Sequence, residues 1–283
     1  MALNVETFFT RLASAAVFVA VLLSCVWLNP YSLVAFFGII GFIGVNEFYK
    51  LSANTGKHSN KIIGFVLHAV VIASVFFIHK VDLHSVKPIL LIVILALPIY
   101  LLVELFKLQP NFFSLPVPFL SLFYVTVPCA LLILLSGAER EILDSSIKFH
   151  PQTILGLIYF IWINDTGAYL VGSFIGKNKL YERISPNKTW EGTLGGIALC
   201  IAASFIIVKL FPHLSLQSWM VISGIVAVFG SLGDLVESMM KRISGVKDSG
   251  KLMPGHGGVL DRFDSLFFSA PFVFAYLAAT GNL

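Results

Sequence analysis

The sequence predicts an all-α protein that crosses a membrane many times, and three observations predict it. Hydrophobic residues make up 57% of the 283 and charged residues 12%, with a mean hydropathy of +0.90. A soluble domain is about half apolar and about a quarter charged. Roughly nine apolar stretches recur, each long enough or nearly so to cross a ~30 Å hydrocarbon core. Backbone groups in lipid find no water, so these stretches close their hydrogen bonds internally as helices.

The stretches run 12–29, 32–47, 62–79, 88–105, 112–136, 152–175, 191–211, 217–238 and 260–280. The first ends without a small-residue cleavage site and leads into another span, so it does not read as a removable leader. The second is short and carries Asn46 and Glu47 at its end. Glu47 and Glu104 read as charges near helix ends, close enough to snorkel or pair. Turn-forming stretches such as Ser52-Ala-Asn-Thr-Gly-Lys and Lys177-Asn-Lys separate the spans. A soluble domain does not fit in the loops, and no repeat or low-complexity tract is present. Residues 1–150 then form an N-terminal region of about five helices, and 151–283 a C-terminal transmembrane region with the densest polar stretch, 238–264, as the candidate catalytic part. Cys25, Cys129 and Cys200 stand isolated in apolar runs, with no disulfide or zinc spacing. His68, His79, His84, His150 and His213 show no ligand spacing and read as structural or solvated.

Orientation follows from Lys and Arg. With the N-terminus inside, the inner segments collect Arg11, Lys50, Lys57, Lys61, Lys107, Lys177, Lys179, Arg183, Lys188, Lys241, Arg242, Lys247, Lys251 and Arg262. The outer loops keep Lys80, Lys87, Arg140, Lys148 and Lys209. Fourteen against five places the N-terminus and both polar clusters on the cytoplasmic side. Short loops and the lack of a targeting segment point to a bacterial inner membrane. Membrane lipid is an expected partner, and nucleic acid is not.

Ionisable groups at a membrane boundary or inside it are costly and by default mark a functional site. In 241–264, Lys241, Arg242, Lys247, Lys251 and Arg262 supply positive charge, and Asp248, Asp261 and Asp264 supply carboxylates. Gly255, Gly257 and Gly258 flank His256, and glycines let a backbone approach a ligand and present its N–H groups. Asp261 and Asp264 are spaced i, i+3 and share a helix face. Anionic substrate oxygens, carboxylates and Mg²⁺ form a natural set. The bland alternative is a solvated basic loop anchoring two spans.

Three further constellations stand out. Asn164-Asp165-Thr166-Gly167 lies deep in the sixth span, where Asp165 faces either a polar cavity or cation, or an interhelical clasp. Ser185-Pro186-Asn187-Lys188-Thr189-Trp190-Glu191-Gly192 leads into the seventh span. A Ser or Thr before a helix caps it, and a helix start favours phosphate; the alternative is a plain cap with an interfacial Trp. Gly233-Asp234-Leu235-Val236-Glu237-Ser238 ends the eighth span, with Asp234 two turns before Lys241 on one face. Asp234 is a candidate metal ligand shared with Asp261, while Glu237 is placed to pair with Lys241.

The 238–264 stretch resembles the signature of the phosphatidate cytidylyltransferases, the CDP-diacylglycerol synthases. The matching positions are Ser238, Lys241, Arg242, Lys247, Asp248, Pro254, His256, Gly257, Gly258, Asp261, Arg262 and Asp264. Met253 stands where the family usually has Leu, Ile or Phe. Ser-Pro-Asn-Lys-Thr-Trp-Glu-Gly and Asn-Asp-Thr-Gly-Ala-Tyr also resemble the family. The likeness is strong over 152–280, and toward the N-terminus it is one of apolar spans only.

The resemblance implies that CTP and phosphatidate react to CDP-diacylglycerol and pyrophosphate, with Mg²⁺ required and a second cation left open. A homodimer is a further expectation from it. In that reading Asp234 and Asp261 hold Mg²⁺, with Asp264 and either Asp165 or Asp248 completing or orienting the site. Lys241, Arg242, Lys247 and Arg262 bind phosphates, and Lys188 and Ser185, beside Thr189, close over one from the other loop. Ser238, Gly257 and Gly258 belong to the substrate-binding set, and His256 shapes the pocket. Both substrates are anionic, so catalysis is mainly positioning and charge neutralisation. Two alternatives stay open. One is a CTP-dependent lipid kinase or a cytidylyltransferase for another lipid phosphate. The other is a cation-coupled transporter using Asp165 and Asp234, although no repeated halves are visible.

Overall fold

A computed structural model describes residues 5–56, 61–75, 102, 105–106, 117–137, 149–252 and 257–283. Eight helices are described: α1 Val5–Leu28, α2 Pro30–Asn54, α3 Lys61–Val75, α4 Val117–Ser136, α5 Gln152–Ile175, α6 Trp190–Leu210, α7 Leu216–Ile243 and α8 Leu260–Ala279. Five of them, α2 and α4–α7, are long and apolar enough to cross a membrane. The chain is an integral membrane protein. Most of the expected span 88–105, and His256, lie outside the described residues. The segment read as the Lys177-Asn-Lys turn carries an antiparallel hairpin, β1 Lys179–Tyr181 with β2 Ser185–Thr189. Helix α7 runs five residues past the expected end of its span at 238, carrying Lys241 and Arg242 in its last turn.

The chain forms two compact units. The first takes 1–80, 113–151 and 241–263, so the signature's Lys241–Phe263 segment packs with N-terminal helices. Its helices have local causes. Asn29 caps α2, its side chain accepting from Ser32 N–H at 2.8 Å, with Pro30 in the first turn. Helix α4 holds a π-helical stretch, Leu122–Thr126, where Val127 N–H reaches back to Leu122. Pro128 follows directly and lacks the N–H that an α-helix would direct at residue 124, so the wider turn falls where the ladder is already broken. Thr126, at the end of that stretch, meets His68 of α3: Nδ1 is 2.9 Å from its hydroxyl, while Nε2 donates to the Gly38 carbonyl of α2 at 3.0 Å. The imidazole thus ties three helices, and it lies where a side chain on Gly41 would begin.

The second unit takes 81–112, 152–240 and 264–283. Its centre is the α5–α6 pair, built on small residues. A Cβ on Gly192 would lie 2.6 Å from the Ala168 carbonyl, and one on Gly196 would lie 2.7 Å from Asn164 Oδ1. Ala168/Gly172 and Gly192/Gly196 repeat the small-xxx-small spacing that brings membrane helices into backbone contact. Trp219 of α7 fills the space beside Gly156, and its indole N–H donates to Phe211 O at 3.0 Å. Ser265 Oγ of α8 donates to the Gly230 carbonyl of α7 at 3.0 Å. Leu194, Phe205, Ile206 and Leu210 stay exposed on α6, as a lipid-facing surface requires.

Gly41→Ala is expected to overpack the His68 site and cost about 1–3 kcal/mol. The thermal unfolding midpoint in detergent micelles reads this. Gly38→Ala, whose Cβ would meet nothing within 4 Å, should leave the midpoint at or above wild type. Equal midpoints for the two variants would contradict the packing described.

Candidate functional site

In the second unit, polar residues of α5, α7 and the β2–α6 junction surround a cavity of about 520 Å³. Asn164 and Asp165 come from α5, Lys188 and Thr189 from the hairpin, and Ser231 and Asp234 from α7. Asn164 Nδ2 donates to Ser231 Oγ at 3.0 Å, fixing α5 against α7 at this depth. The Lys188 ammonium pairs with the Asp234 carboxylate, each about a third exposed. Asp264 of α8 is buried, accepts its neighbour Ser265's N–H at 2.7 Å, and lies within electrostatic reach of Asp234, Lys188 and Asp165. Gly233 lets α7 approach α8 here, since a Cβ would lie 2.8 Å from the Asp264 carbonyl.

The hairpin is held in place by α6 itself. Glu191 accepts from Lys177 N–H at 3.1 Å, Asn178 N–H at 3.2 Å and Asn178 Nδ2 at 2.6 Å. Thr189 is the N-cap of α6, accepting Gly192 N–H at 3.2 Å, so its hydroxyl serves the helix. Lys188 is therefore carried by a braced strand, and the half-buried Ser185 opens that strand.

The side-chain oxygens lining the cavity belong to the carboxylates of Asp165 and Asp234, the amides of Asn164 and Asn187 and several hydroxyls, Ser231 and Thr193 among them, with the Lys188 ammonium beside them. Among the described residues, no three His, Cys, Asp or Glu side chains converge to hold a metal by themselves. That arrangement still fits Mg²⁺, which binds through one or two carboxylates and takes its remaining oxygens from substrate phosphates and water.

The signature loop belongs to the first unit. Gly245, at φ +68, ends α7: its N–H reaches Arg242 O and Val246 N–H reaches Lys241 O, a left-handed glycine stop. Asp261, in the first turn of α8, is the loop's anchor. Its Oδ2 accepts from Ser249 N–H at 2.8 Å, Ser249 Oγ at 2.9 Å and Gly258 N–H at 2.7 Å. Its Oδ1 accepts from Lys241 Nζ at 2.7 Å. Both oxygens expected to meet a cation are thus engaged by the protein's own donors. Lys241, expected to bind phosphate, is largely buried in that pair. Arg242, Lys247, Asp248 and Arg262 are exposed, while Ser238 is half-buried on α7.

Sequence reasoning passed over Glu47. It is buried at 3% exposure in α2, and its carboxylate accepts from Val259 N–H, Leu260 N–H and Ser249 Oγ, each at 3.0 Å. Side chains on Gly250 or Gly258 would collide with it. Gly257, at φ +82, packs against Asp261. The motif's glycines therefore make room for the protein's own carboxylates. No local signal could have found Glu47, because its partners lie 202 to 213 residues away.

A cytidylyltransferase family model matches residues 9–280. The chain belongs to that family. The match extends through the N-terminal helices that had resembled the family only as apolar spans. Among curated relatives, the phosphatidate cytidylyltransferase of Staphylococcus epidermidis is 47% identical over 129 residues, covering 45% of this chain and 49% of the relative. That of Bacillus subtilis is 52% identical over 120 residues, covering 42% and 44%. That of Staphylococcus aureus strain COL is 48% identical over 120 residues, covering 42% and 46%. The chain spans about half the length of the curated relatives it matches.

Asp261→Ala is expected to leave Ser249 N–H, Gly258 N–H and the Lys241 ammonium without their acceptor. Removing one partner of a buried pair costs about 3–5 kcal/mol. Limited proteolysis within 244–260 should accelerate in this variant, whereas Asp248→Ala, at an exposed position, should cleave like wild type. Identical cleavage of all three proteins would refute the anchoring role.

Proposed function

We propose that this protein transfers the cytidylyl group of CTP to phosphatidate, giving CDP-diacylglycerol and pyrophosphate. The observation that carries the reading is the cavity where Asp165 and Asp234 face Lys188 beside buried Asp264, in a chain of the cytidylyltransferase family whose relatives carry that name. A phosphate oxygen of phosphatidate attacks the α-phosphorus of CTP. A new P–O bond forms there, and the bond to the β-phosphate oxygen breaks as pyrophosphate leaves. The attacking phosphate is already ionised, so no protein base is needed.

The chain's residues then position and neutralise. Asp234 and Asp165 would hold Mg²⁺, with buried Asp264 orienting them from behind, and the ion would supply positive charge for the phosphate oxygens. Lys188 exchanges its contact with Asp234 for a phosphate oxygen as substrate arrives, and Ser185 closes from the same strand. Exposed Arg242, Lys247 and Arg262 draw in the two anions. Asp261 serves the loop rather than the cation, so its loss acts through Lys241 and Ser249. The site faces the cytoplasm, where CTP and Mg²⁺ are available, and the membrane is a bacterial inner membrane.

Pyrophosphate release by purified protein in micelles tests the reading, with CTP, Mg²⁺ and phosphatidate omitted in turn and the lipid product weighed by mass spectrometry. Product is expected only with all three present. Another lipid acceptor, or a phosphorylated alcohol as product, would replace the assignment. Asp234→Asn should lower kcat by about 10²–10³-fold, the usual cost of one preorganised electrostatic contact, with an unchanged unfolding midpoint. Near-normal turnover in that variant would remove Asp234 from the site.

A further inference from the structure

Glu47 is a carboxylate inside a chain that is mostly hydrocarbon, and the structure gives it a defined task. It projects from α2 into the signature segment and meets the start of α8. Val259 N–H and Leu260 N–H, two donors that a helix start leaves without internal acceptors, point at Oε1 and Oε2. An anion is favoured there by the helix dipole as well. Ser249 Oγ lies 3.0 Å from Glu47 Oε2 and 2.9 Å from Asp261 Oδ2, so one hydroxyl sits between two carboxylates. Asp261 in turn holds Lys241 Nζ at 2.7 Å. Residues from α2, the loop, α8 and the end of α7 thus form one connected chain of contacts. The glycines at 250 and 258 keep its first link open, because a Cβ at either would occupy the carboxylate's place.

We infer that Glu47 is a positioning residue for the reaction: its carboxylate fixes the signature loop through Val259, Leu260 and Ser249, and so sets where Asp261 holds Lys241. This rests on the activity proposed above. Glu47 touches no substrate and takes no proton in this role. Its loss should act on kcat, because a displacement of about 1 Å far from the chemistry can cost about a hundredfold in rate. Affinity for CTP should change much less.

The test uses the full chain in micelles with three variants: Glu47→Gln, Ser249→Ala and the double variant. In Glu47→Gln the amide can present only one oxygen, so at least one of the Val259 and Leu260 N–H groups loses its acceptor. Hydrogen exchange of peptides covering 249–261 should quicken at least tenfold in this variant, with the rest of α2 unchanged. Its kcat should fall by about a hundredfold, with KM for CTP within about threefold of wild type. The double variant should be no slower than Glu47→Gln, because contacts acting in series do not add.

Wild-type exchange over 249–261 in Glu47→Gln would overturn the inference, as would faster exchange with undiminished kcat, or losses that add in the double variant. Should Glu47→Gln fail to fold, Ser249→Ala must still quicken exchange at Asp261 and lower kcat, or the inference falls. Exchange is read without turnover. A wild-type protein inactive on CTP and phosphatidate would therefore sink the proposed activity, while the exchange data still decided whether Glu47 fixes the loop.

Discussion

A carboxylate withdrawn from water is tolerated only when donors or cations replace its hydration, and that demand organises both units of this protein. Glu47 meets it with two helix-start N–H groups and a hydroxyl. Asp261 meets it with two backbone N–H groups and an ammonium, and shares with Glu47 the one proton of the Ser249 hydroxyl. Asp234, about a third exposed, keeps part of its hydration and adds Lys188. Each solution draws donors from separate elements, so the polar contacts fix geometry that apolar side chains, non-directional as they are, would leave loose.

The same demand explains the two kinds of basic residue. Lys188 and Lys241 are each paired with a carboxylate, whereas Arg242 and Lys247 stand exposed. A cation already held by a carboxylate is oriented before any ligand arrives, and little reorganisation remains when an anion comes. Lys188 is about a third exposed and its partner likewise, so that pair can exchange with an incoming phosphate. Lys241 is more enclosed and its partner is tied to the loop, which suits it to shaping the signature.

Close backbone approach is the second recurring device. Gly192 and Gly196 bring α6 onto α5, placing the hairpin's Lys188 beside Asp165. Gly250 and Gly258 admit Glu47, and Gly41 admits His68. In each case the absent Cβ is occupied by a polar group of the protein, a carbonyl, a carboxylate or an imidazole. The glycines around His256 read from the sequence as ligand-binding, and the two described, Gly257 and Gly258, pack against Asp261 and Glu47.

The sequence by itself determined the membrane-spanning helices, because apolar length and the lack of water at the backbone leave no other structure. It also determined the family, because the signature's residue types and spacing are contiguous from Ser238 to Asp264. Helix ends have local causes at Asn29-Pro30 and Gly245, yet apolar length alone placed the end of α7 at 238, five residues short. Only the tertiary structure decided what the carboxylates do. Asp261 and Asp264, three residues apart on one helix, meet different partners, and Glu47 reaches a loop more than two hundred residues away. Periodicity reports which face a residue occupies. It carries no information about which distant donors that face will meet, because those pairings are set by how helices far apart in the chain pack together.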